Sequence, residues 1–293
     1  MDQIKPVTIG DAWRQGAELL RKASVGEAEA NAELLLLHAL GLSKAELLRD
    51  LREPFPAERL ERWERLLARK AAGEPVQYIV GGQHFFGRWF EVTPAVLIPR
   101  PETELLAEAV LNEASRWEDA SSLAVLDVGT GSGALAVTLA AERPGWRVTA
   151  SDLSPDALAV ARGNAERHGV AGRMAFVLGD LLEPFVAAGA AADVLVSNPP
   201  YIPSADIAGL QREVRDFEPR LALDGGADGL APYRRMAEQL RLLPALPRLV
   251  AWEVGAGQAS DVAGLLRQAA AWREIRFVRD YAGIDRHVLA VRG

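Results

Sequence analysis

A short segment, Asn198-Pro199-Pro200-Tyr201, follows the apolar stretch ADVLVS and carries residue types suited to nitrogen chemistry. A planar amide or exocyclic amine is a poor nucleophile because its nitrogen lone pair is delocalised. The side-chain oxygen of Asn198 and the main-chain carbonyl of Pro199 could each accept one N–H and favour the positive charge that develops as a methyl group arrives. Tyr201 offers a ring face for the flat group. The segment predicts catalytic Asn198, Pro199 and Tyr201, with Pro200 completing the substrate contacts.

A glycine-rich loop comes earlier in the chain, between a predicted strand ending in LDV and a predicted helix. Its residues are Gly129, Thr130, Gly131, Ser132 and Gly133. Such a loop lets the backbone approach a ligand at a helix N-terminus, so it predicts a cofactor site beginning at Asp127. Asp152 ends the next predicted strand, where an acidic side chain accepts hydrogen bonds from ribose hydroxyls. The glycine loop and the Asp152 carboxylate fit NAD and S-adenosylmethionine equally well, so they do not decide which of the two is the cofactor.

The third predicted strand ends in VLGDLL. Asp180 could accept a hydrogen bond from an adenine amino group, and Leu181 could pack on the adenine ring. An aspartate at this position is also a common turn or helix-cap residue, so the pair carries less weight than the glycine loop.

The segment Asn198–Tyr201 decides between the two cofactors. An NAD-dependent oxidoreductase needs a proton donor near the fourth predicted strand, and the sequence offers no candidate there. It would also leave the Asn-Pro-Pro-Tyr segment unexplained. The combination of loop and segment therefore favours S-adenosylmethionine and methyl transfer to a planar nitrogen.

The elements that must position these residues fall into three parts. Residues 10–72 carry apolar side chains at helical spacing, so a small α-helical bundle is predicted over residues 1–74. Residues 75–100 are rich in aromatic and β-branched residues, which predicts a hairpin connector. Over residues 101–293 strands alternate with helices and two strands close the chain. That order predicts an α/β domain with a parallel, doubly wound sheet and a final antiparallel pair.

The composition limits the class of protein. A hydrophobic fraction of 49% and a charged fraction of 25% are typical of globular proteins. No apolar run approaches the roughly 18 residues of a membrane span, and the first residues lack a secretory pattern, so we expect a cytoplasmic protein without membrane contact. The chain has no cysteine and four scattered histidines, so no metal site is predicted.

The formal charge of −7 disfavours a nucleic-acid substrate, because it would repel a phosphate backbone. The stretch from Arg59 to Lys70 is locally basic, a feature typical of a solvated helix face. A nucleic-acid methyltransferase acting on adenine N6 or guanine N2 is the main alternative, because a base amine presents the same N–H pair. A non-catalytic cofactor-binding or assembly protein is a further hypothesis, and the intact Asn198 and Tyr201 speak against it.

Nearly the whole chain resembles the HemK/PrmC family of protein-(glutamine-N5) methyltransferases. The resemblance rests on PVQYIVG, LIPRPETELL, LDVGTGSGALAV, VLVSNPPYIP, FEPRLALDGGADGLAPYR and GIDRHVLA. It implies a seven-stranded, Rossmann-like class I methyltransferase domain that uses S-adenosylmethionine. It also implies peptide chain release factors as partners, with the glutamine of their Gly-Gly-Gln loop as the methyl acceptor.

Carried over by motif, the resemblance places the cofactor against Gly129–Gly133, Asp152, Leu181 and Asn198, and the glutamine against Asn198–Tyr201. Thr103 belongs to the segment PRPETE, which begins a helix that lies over the cofactor in the family. A cofactor contact is therefore predicted for Thr103, and a plain helix-capping role is the alternative of equal weight. The bundle over residues 1–74 is expected to dock the substrate protein.

The chain contains its own Gly-Gly-Gln tripeptide, Gly81-Gly82-Gln83. It coincides with the motif of the implied substrate. We interpret it as chance in a turn, since a Gly-Gly pair suits a hairpin.

Overall fold

The N-terminal part of the chain folds into helices whose ends are marked in the sequence. The structure is a computed structural model that describes residues 6–292. The first helices are α1 (Ile9–Lys22), α2 (Ala28–Leu40), α3 (Lys44–Arg49), α4 (Leu60–Ala71) and α5 (Val76–Val80). Gly41 ends α2 in the left-handed conformation with φ 71°. Ser43 caps α3 in a reciprocal capping box with Glu46.

These helices form one of two compact units in the chain. This helical unit contains the described residues up to Gly82 together with Gln211–Phe217. Its core is built from apolar side chains of α1, α2, α4 and α5. A Cβ atom at Gly16 would lie 2.5 Å from Trp63, so glycine lets α1 pack closely on that buried ring.

An ion pair links α4 to the returning segment of the helical unit. Lys70 is only 1% exposed, and its ammonium lies 2.6 Å from the carboxylate of Glu213, which is 36% exposed. A buried ammonium without a partner is costly, whereas a half-exposed carboxylate can reach water. The pair therefore holds residues 211–217 on the helices that precede them in sequence.

We expect Glu213→Ala to lower the free energy of unfolding by about 2 kcal/mol, because it leaves the buried Lys70 ammonium unpaired. Lys70→Met is the matched variant, since it keeps the apolar stem and removes the charge, and it should cost less. Urea denaturation of both variants measures this difference. A larger loss for Lys70→Met than for Glu213→Ala would contradict the prediction.

The second unit, the sheet unit, contains Gln83–Leu210 and the described residues from Glu218 onward. The remaining elements, with the short helix α10 of the helical unit, are β1 (Gly82–Phe85), β2 (Arg88–Glu91), α6 (Pro101–Ala114), β3 (Ala124–Val128), α7 (Ala134–Glu142), β4 (Arg147–Asp152), α8 (Pro155–Arg167), β5 (Met174–Leu178), α9 (Glu183–Ala187), β6 (Val194–Ser197), α10 (Arg212–Phe217), α11 (Ala231–Leu240), β7 (Leu249–Glu253), α12 (Ala259–Ala269), β8 (Glu274–Arg279) and β9 (Asp285–Val291).

The connector differs in detail from its predicted form. It begins with helix α5, and β1 and β2 then form a two-stranded sheet. The turn between them is Phe86-Gly87, with φ values of 49° and 72°. Gly81 instead ends α5 with φ 84°, and Gly82 and Gln83 begin β1. Gly81 therefore lies in a turn, as predicted, but not in the hairpin turn, because the left-handed pair of the two-residue hairpin lies five residues later.

The seven-stranded sheet formed by residues 124–291 confirms the predicted α/β class. Its strand order is β5-β4-β3-β6-β7-β9-β8. The first five strands in that order run parallel, and β9 pairs antiparallel with both β7 and β8. Among the described residues, no helix is long and apolar enough to cross a membrane.

The strand order reverses between β3 and β6. The chain leaves β3 toward β4 and β5, and then returns to β6 on the other side of β3. Helices on the two sides of this reversal diverge, so a crevice opens at the carboxyl ends of the two strands. In the register of the sheet Val128 lies opposite Ser197, so the loops that follow these residues start side by side.

Candidate active site

A cavity of about 580 Å³ lies at this crevice, inside the sheet unit. It has the size of a small-molecule site. The sequence-predicted residues that line it are Thr103, Gly129, Thr130, Gly131, Ser132, Asp152, Asp180, Leu181, Asn198 and Pro200. Three other predicted residues, Gly133, Pro199 and Tyr201, are not among its lining residues. The structure thus brings the glycine loop and the Asn-Pro-Pro segment to one cavity.

The glycine loop lines the cavity with main chain. Gly129 and Gly131 have φ values of 71° and 55°, and the side on which each would carry a Cβ is open within 4 Å. Glycine is needed here for the left-handed backbone. Gly133 has a different role, because a Cβ there would lie 3.1 Å from the Cβ of Ala161. It allows α7 and α8 to pack closely.

Asp152 fastens the loop from the neighbouring strand. Its Oδ2 accepts a hydrogen bond of 2.9 Å from the Gly131 N–H, and its Oδ1 accepts one of 2.9 Å from the Ser154 N–H. Burial raises the pKa of this carboxyl. The carboxylate faces the cavity at the end of β4, where it can accept hydrogen bonds from a ligand's hydroxyl groups.

We expect Asp152→Ala to weaken the binding of S-adenosylmethionine, the methyl donor, by roughly 1.5–3 kcal/mol, because the ribose of this ligand would lose its charged acceptor. Asp152→Asn is the matched variant, since it keeps an acceptor oxygen for the Gly131 N–H and should lose less. Calorimetric titration of each variant with S-adenosylmethionine measures the effect. A dissociation constant unchanged in Asp152→Ala would assign the side chain a purely structural role.

Asp127 lies beneath the loop, as the last residue but one of β3. It is 1% exposed, and its Oδ2 accepts hydrogen bonds from the Thr130 hydroxyl at 2.7 Å and from the Ala136 N–H at 3.1 Å. Its Oδ1 is buried and has no hydrogen-bond partner in the described part of the chain. Burial raises the pKa of Asp127 to about 7. Asp127 is among the residues that line the cavity, so its unpartnered oxygen could accept a hydrogen bond from a cationic group of a ligand.

Asp180 and Leu181 line the cavity beyond the end of β5. Arg235 donates to both carboxylate oxygens of Asp180, at 3.1 and 2.8 Å, and also to Glu183. The predicted adenine contact of Asp180 would therefore be made by a carboxylate that an arginine already orients. Leu181 has a φ of 51°, and its side chain packs on the core beside the cavity.

Asn198 is hydrogen-bonded to Thr103, which is itself hydrogen-bonded to Glu253. Its Nδ2 donates to the Thr103 hydroxyl at 3.2 Å, and that hydroxyl donates to Glu253 Oε2 at 2.7 Å. Thr103 and Glu253 are both buried. The amide nitrogen of Asn198 is therefore engaged, and its oxygen is free to accept.

Tyr201 is fixed by polar contacts at both ends. Arg286 donates to the Tyr201 hydroxyl at 3.0 Å, and its guanidinium carbon lies 5.4 Å from the ring centroid. Gln258 donates to the main-chain carbonyl of Tyr201 at 3.0 Å. Burial raises the pKa of the Tyr201 hydroxyl.

Sequence reasoning missed two walls of the cavity. One is the segment before α6, from Ala95 to Arg100, and the other runs from Pro219 to Gly226. Glu218, which is buried, joins them by accepting from the Arg100 guanidinium and from the Ile98 N–H. These walls are the stretches AVLIPR and PRLALDGG, which are too short and too interrupted by proline or glycine to show a helical or extended periodicity.

The residues that line the cavity fit S-adenosylmethionine. The ligand carries a ribose, for which the Asp152 carboxylate provides an acceptor, and positive charge, for which the unpartnered Asp127 Oδ1 provides a second one. Gly129 and Gly131 carry no side chain, so their main chain is accessible to a ligand in the cavity. Residues 6–292 contain no group of three or more histidine, aspartate or glutamate side chains suited to a metal ion.

Comparison with known proteins covers both units. Residues 11–81 match the family model described as the PrmC N-terminal domain, and residues 101–215 match the methyltransferase small domain. The release factor glutamine methyltransferase of Bacillus subtilis is 43% identical over 97% of this chain and 98% of its own length. The protein of the same name from Chlorobaculum tepidum is 44% identical over 98% of both chains.

Solved structures share the fold at low sequence identity. The human Mettl16 catalytic domain, crystallised with the MAT2A 3′UTR hairpin 6, is 16% identical with a TM-score of 0.55, over 81% of this chain and 82% of that one. The human methyltransferase 10 domain containing protein is 15% identical with a TM-score of 0.50, over 70% and 89% of the two chains. The full-length relatives decide the family, and the chain belongs to the release factor glutamine methyltransferases, which are S-adenosylmethionine-dependent enzymes.

Proposed function

We propose that this enzyme methylates the side-chain amide nitrogen of the glutamine in the Gly-Gly-Gln motif of peptide chain release factors. The observation that carries the proposal is the orientation of Asn198. Its amide nitrogen is engaged by Thr103, so its oxygen is the group offered to a ligand in the cavity. An acceptor at that point suits a primary amide. The names of relatives that match over nearly the full length support the same substrate.

The chain's contribution to the reaction is positioning and electrostatics. When bound, S-adenosylmethionine supplies an electrophilic methyl group. The Asn198 oxygen and the Pro199 carbonyl would each accept one N–H of the glutamine amide, which holds the nitrogen in place and stabilises the charge that develops on it. A proton can leave that nitrogen after methyl transfer, so no general base has to act beforehand.

Mass spectrometry of the release factor tests the substrate directly. Incubation with enzyme and S-adenosylmethionine should add one methyl group to the Gly-Gly-Gln peptide, on the glutamine. Replacing that glutamine by asparagine should abolish the product, because the shorter side chain withdraws its amide from the acceptors. Methylation of adenine N6 or guanine N2 in RNA or DNA, with an unmodified release factor, would favour the nucleic-acid alternative instead.

We further propose that the N-terminal bundle over residues 1–74 docks the substrate protein. One glutamine on a loop offers little area, so discrimination against other surface glutamines requires a second contact. A chain that starts at Glu74 should bind the donor and methylate an isolated Gly-Gly-Gln peptide, but lose efficiency toward the whole release factor. The control is Glu213→Ala in the full chain. It breaks the ion pair between Lys70 and residues 211–217 but keeps the bundle. Equal efficiency toward the whole release factor would contradict docking.

A further inference from the structure

Glu253 contacts the partners of both Asn198 and Tyr201, the two polar residues of the Asn-Pro-Pro-Tyr segment. It is the last residue of β7, and Asn198 comes directly after β6. These strands pair in parallel with Ser197 opposite Trp252, so Asn198 and Glu253 leave the sheet at the same level. Glu253 is fully buried, and its main-chain carbonyl accepts a 2.6 Å hydrogen bond from the buried Tyr233 hydroxyl.

The hydrogen bonds from Glu253 to Asn198 can run in only one direction. A carboxylate has no proton to give, so the Thr103 hydroxyl must donate its single proton to Glu253 Oε2, 2.7 Å away. The hydroxyl oxygen can then only accept from Asn198, which lies 3.2 Å away. Of the two ends of the Asn198 amide, only the nitrogen can donate. The amide oxygen is therefore turned away from Thr103.

A second contact connects Glu253 to Tyr201. Arg286 Nη2 lies 3.9 Å from Glu253 Oε1 and donates to the Tyr201 hydroxyl at 3.0 Å. His287 Nε2 lies 3.7 Å from Glu253 Oε2, beyond hydrogen-bond distance. Glu253 is thus hydrogen-bonded to Asn198 through Thr103, and it forms an ion pair, without a hydrogen bond, with the arginine that donates to Tyr201. A chain of hydrogen bonds that ends on a charged group polarises each member in the same direction.

We propose that Thr103 and Glu253 are positioning residues that hold the Asn198 amide oxygen toward the cavity. This inference rests on the proposed function of Asn198 as the acceptor for the substrate amide. Without the Thr103 hydroxyl the Asn198 amide can rotate and present its nitrogen, which repels the N–H groups of a glutamine. The effect on the reaction passes through Asn198 and leaves the donor site intact.

Thr103→Val removes the hydroxyl at nearly constant volume, and Thr103→Ser keeps it. Thr103→Val should lower kcat about tenfold or more, as expected for a residue that orients a directly acting one. Thr103→Ser should stay within about threefold of wild type, because it retains the donor and acceptor. The donor dissociation constant should change by less than about twofold in both variants.

A double-mutant cycle tests whether Thr103 acts through Asn198. In an Asn198→Ala background, Thr103→Val should cost no more than about a further twofold, because the group it positions is gone. A full additional tenfold loss would overturn the proposal. So would an unchanged kcat in Thr103→Val alone, or a loss that appears only as weaker donor binding.

A spectroscopic measurement separates this inference from the proposed function. In protein labelled with ¹⁵N on asparagine, the Asn198 side-chain amide signals are assigned by their loss in Asn198→Ala. They should shift strongly in Thr103→Val and Glu253→Gln and stay nearly in place in Thr103→Ser. This readout needs no substrate. If wild type leaves the glutamine unmethylated, the proposed function fails while the signals still test the positioning. If the Asn198 signals do not move in Thr103→Val, the proposal that Thr103 positions Asn198 is overturned.

Discussion

Asn198→Ala is expected to slow methyl transfer about a hundredfold or more, while the donor dissociation constant changes far less. The side chain supplies a preorganised acceptor whose interaction strengthens as positive charge develops on the substrate nitrogen. Such a group contributes chiefly to the transition state, so its loss appears in kcat. Single-turnover methylation of the Gly-Gly-Gln peptide, followed by mass spectrometry, measures the rate.

Ser197→Ala is the matched control for this prediction. Ser197 precedes Asn198, is fully buried, and donates to the Val128 carbonyl at 2.7 Å, outside the cavity lining. Its loss disturbs the same strand end without removing an acceptor from the site. Ser197→Ala should therefore keep turnover within a few-fold of wild type. Near-normal turnover of Asn198→Ala would show that the Asn198 side chain does not take part in the reaction.

The sheet could be predicted because its determinants are local. Strands β3, β5, β6 and β7 are short, mostly apolar runs, and every parallel strand ends in or is followed by a polar or glycine residue. The antiparallel closing pair follows from the short YAGID turn between its strands. The positions of Asn198 and Gly129 at one edge follow from the same pattern, because parallel strands present their carboxyl ends together.

The hydrogen bonds that connect Asn198 to Thr103 and Thr103 to Glu253 could not be predicted in the same way. Thr103 and Glu253 are separated by 150 residues, and Thr103 and Asn198 by 95. Neither spacing has a periodic signature, and a glutamate at a strand end is also an ordinary surface residue. For Thr103 the sequence predicted a cofactor contact, and the structure gives the hydroxyl two protein partners beside the cavity.

The connector shows a different limit. A Gly-Gly pair is a good hairpin signal, yet the turn lies at Phe86-Gly87. Phenylalanine rarely adopts a positive φ, so the pattern gave no reason to place the turn there. The short α5 needs Gly81 as its left-handed terminator, and that requirement competes with the hairpin for the same glycine.

Stability should fall as pH rises from about 4 to about 7, and Asp127 should be a main cause. An ordinary aspartate has a pKa of 3.8, and burial raises the pKa of Asp127 to about 7. Between these values the unfolded chain has lost a proton that the native protein retains, so raising the pH favours unfolding. Above about pH 7 both states are ionised and the dependence levels off.

Asp127→Asn should remove the part of this pH dependence that comes from Asp127. Its amide oxygen can replace Oδ2 as acceptor for the Thr130 hydroxyl and the Ala136 N–H. Its amide nitrogen would take the place of Oδ1, which has no partner, at a cost of about 1–3 kcal/mol that does not vary with pH. The diagnostic quantity is therefore the change between two pH values. From pH 5 to pH 8 the variant should gain roughly 2–3 kcal/mol relative to wild type.

Urea denaturation of the donor-free protein at pH 5 and pH 8 measures this change. Asp228→Asn is the control, because the Arg234 side chain lowers the pKa of Asp228 to about 2. The stability that Asp228 contributes is lost only as pH falls through that value, so its effect should be the same at pH 5 and pH 8. An effect of Asp127→Asn that is also equal at both pH values would show that Asp127 titrates as an ordinary carboxyl. Its unpartnered oxygen would then be ionised throughout this range.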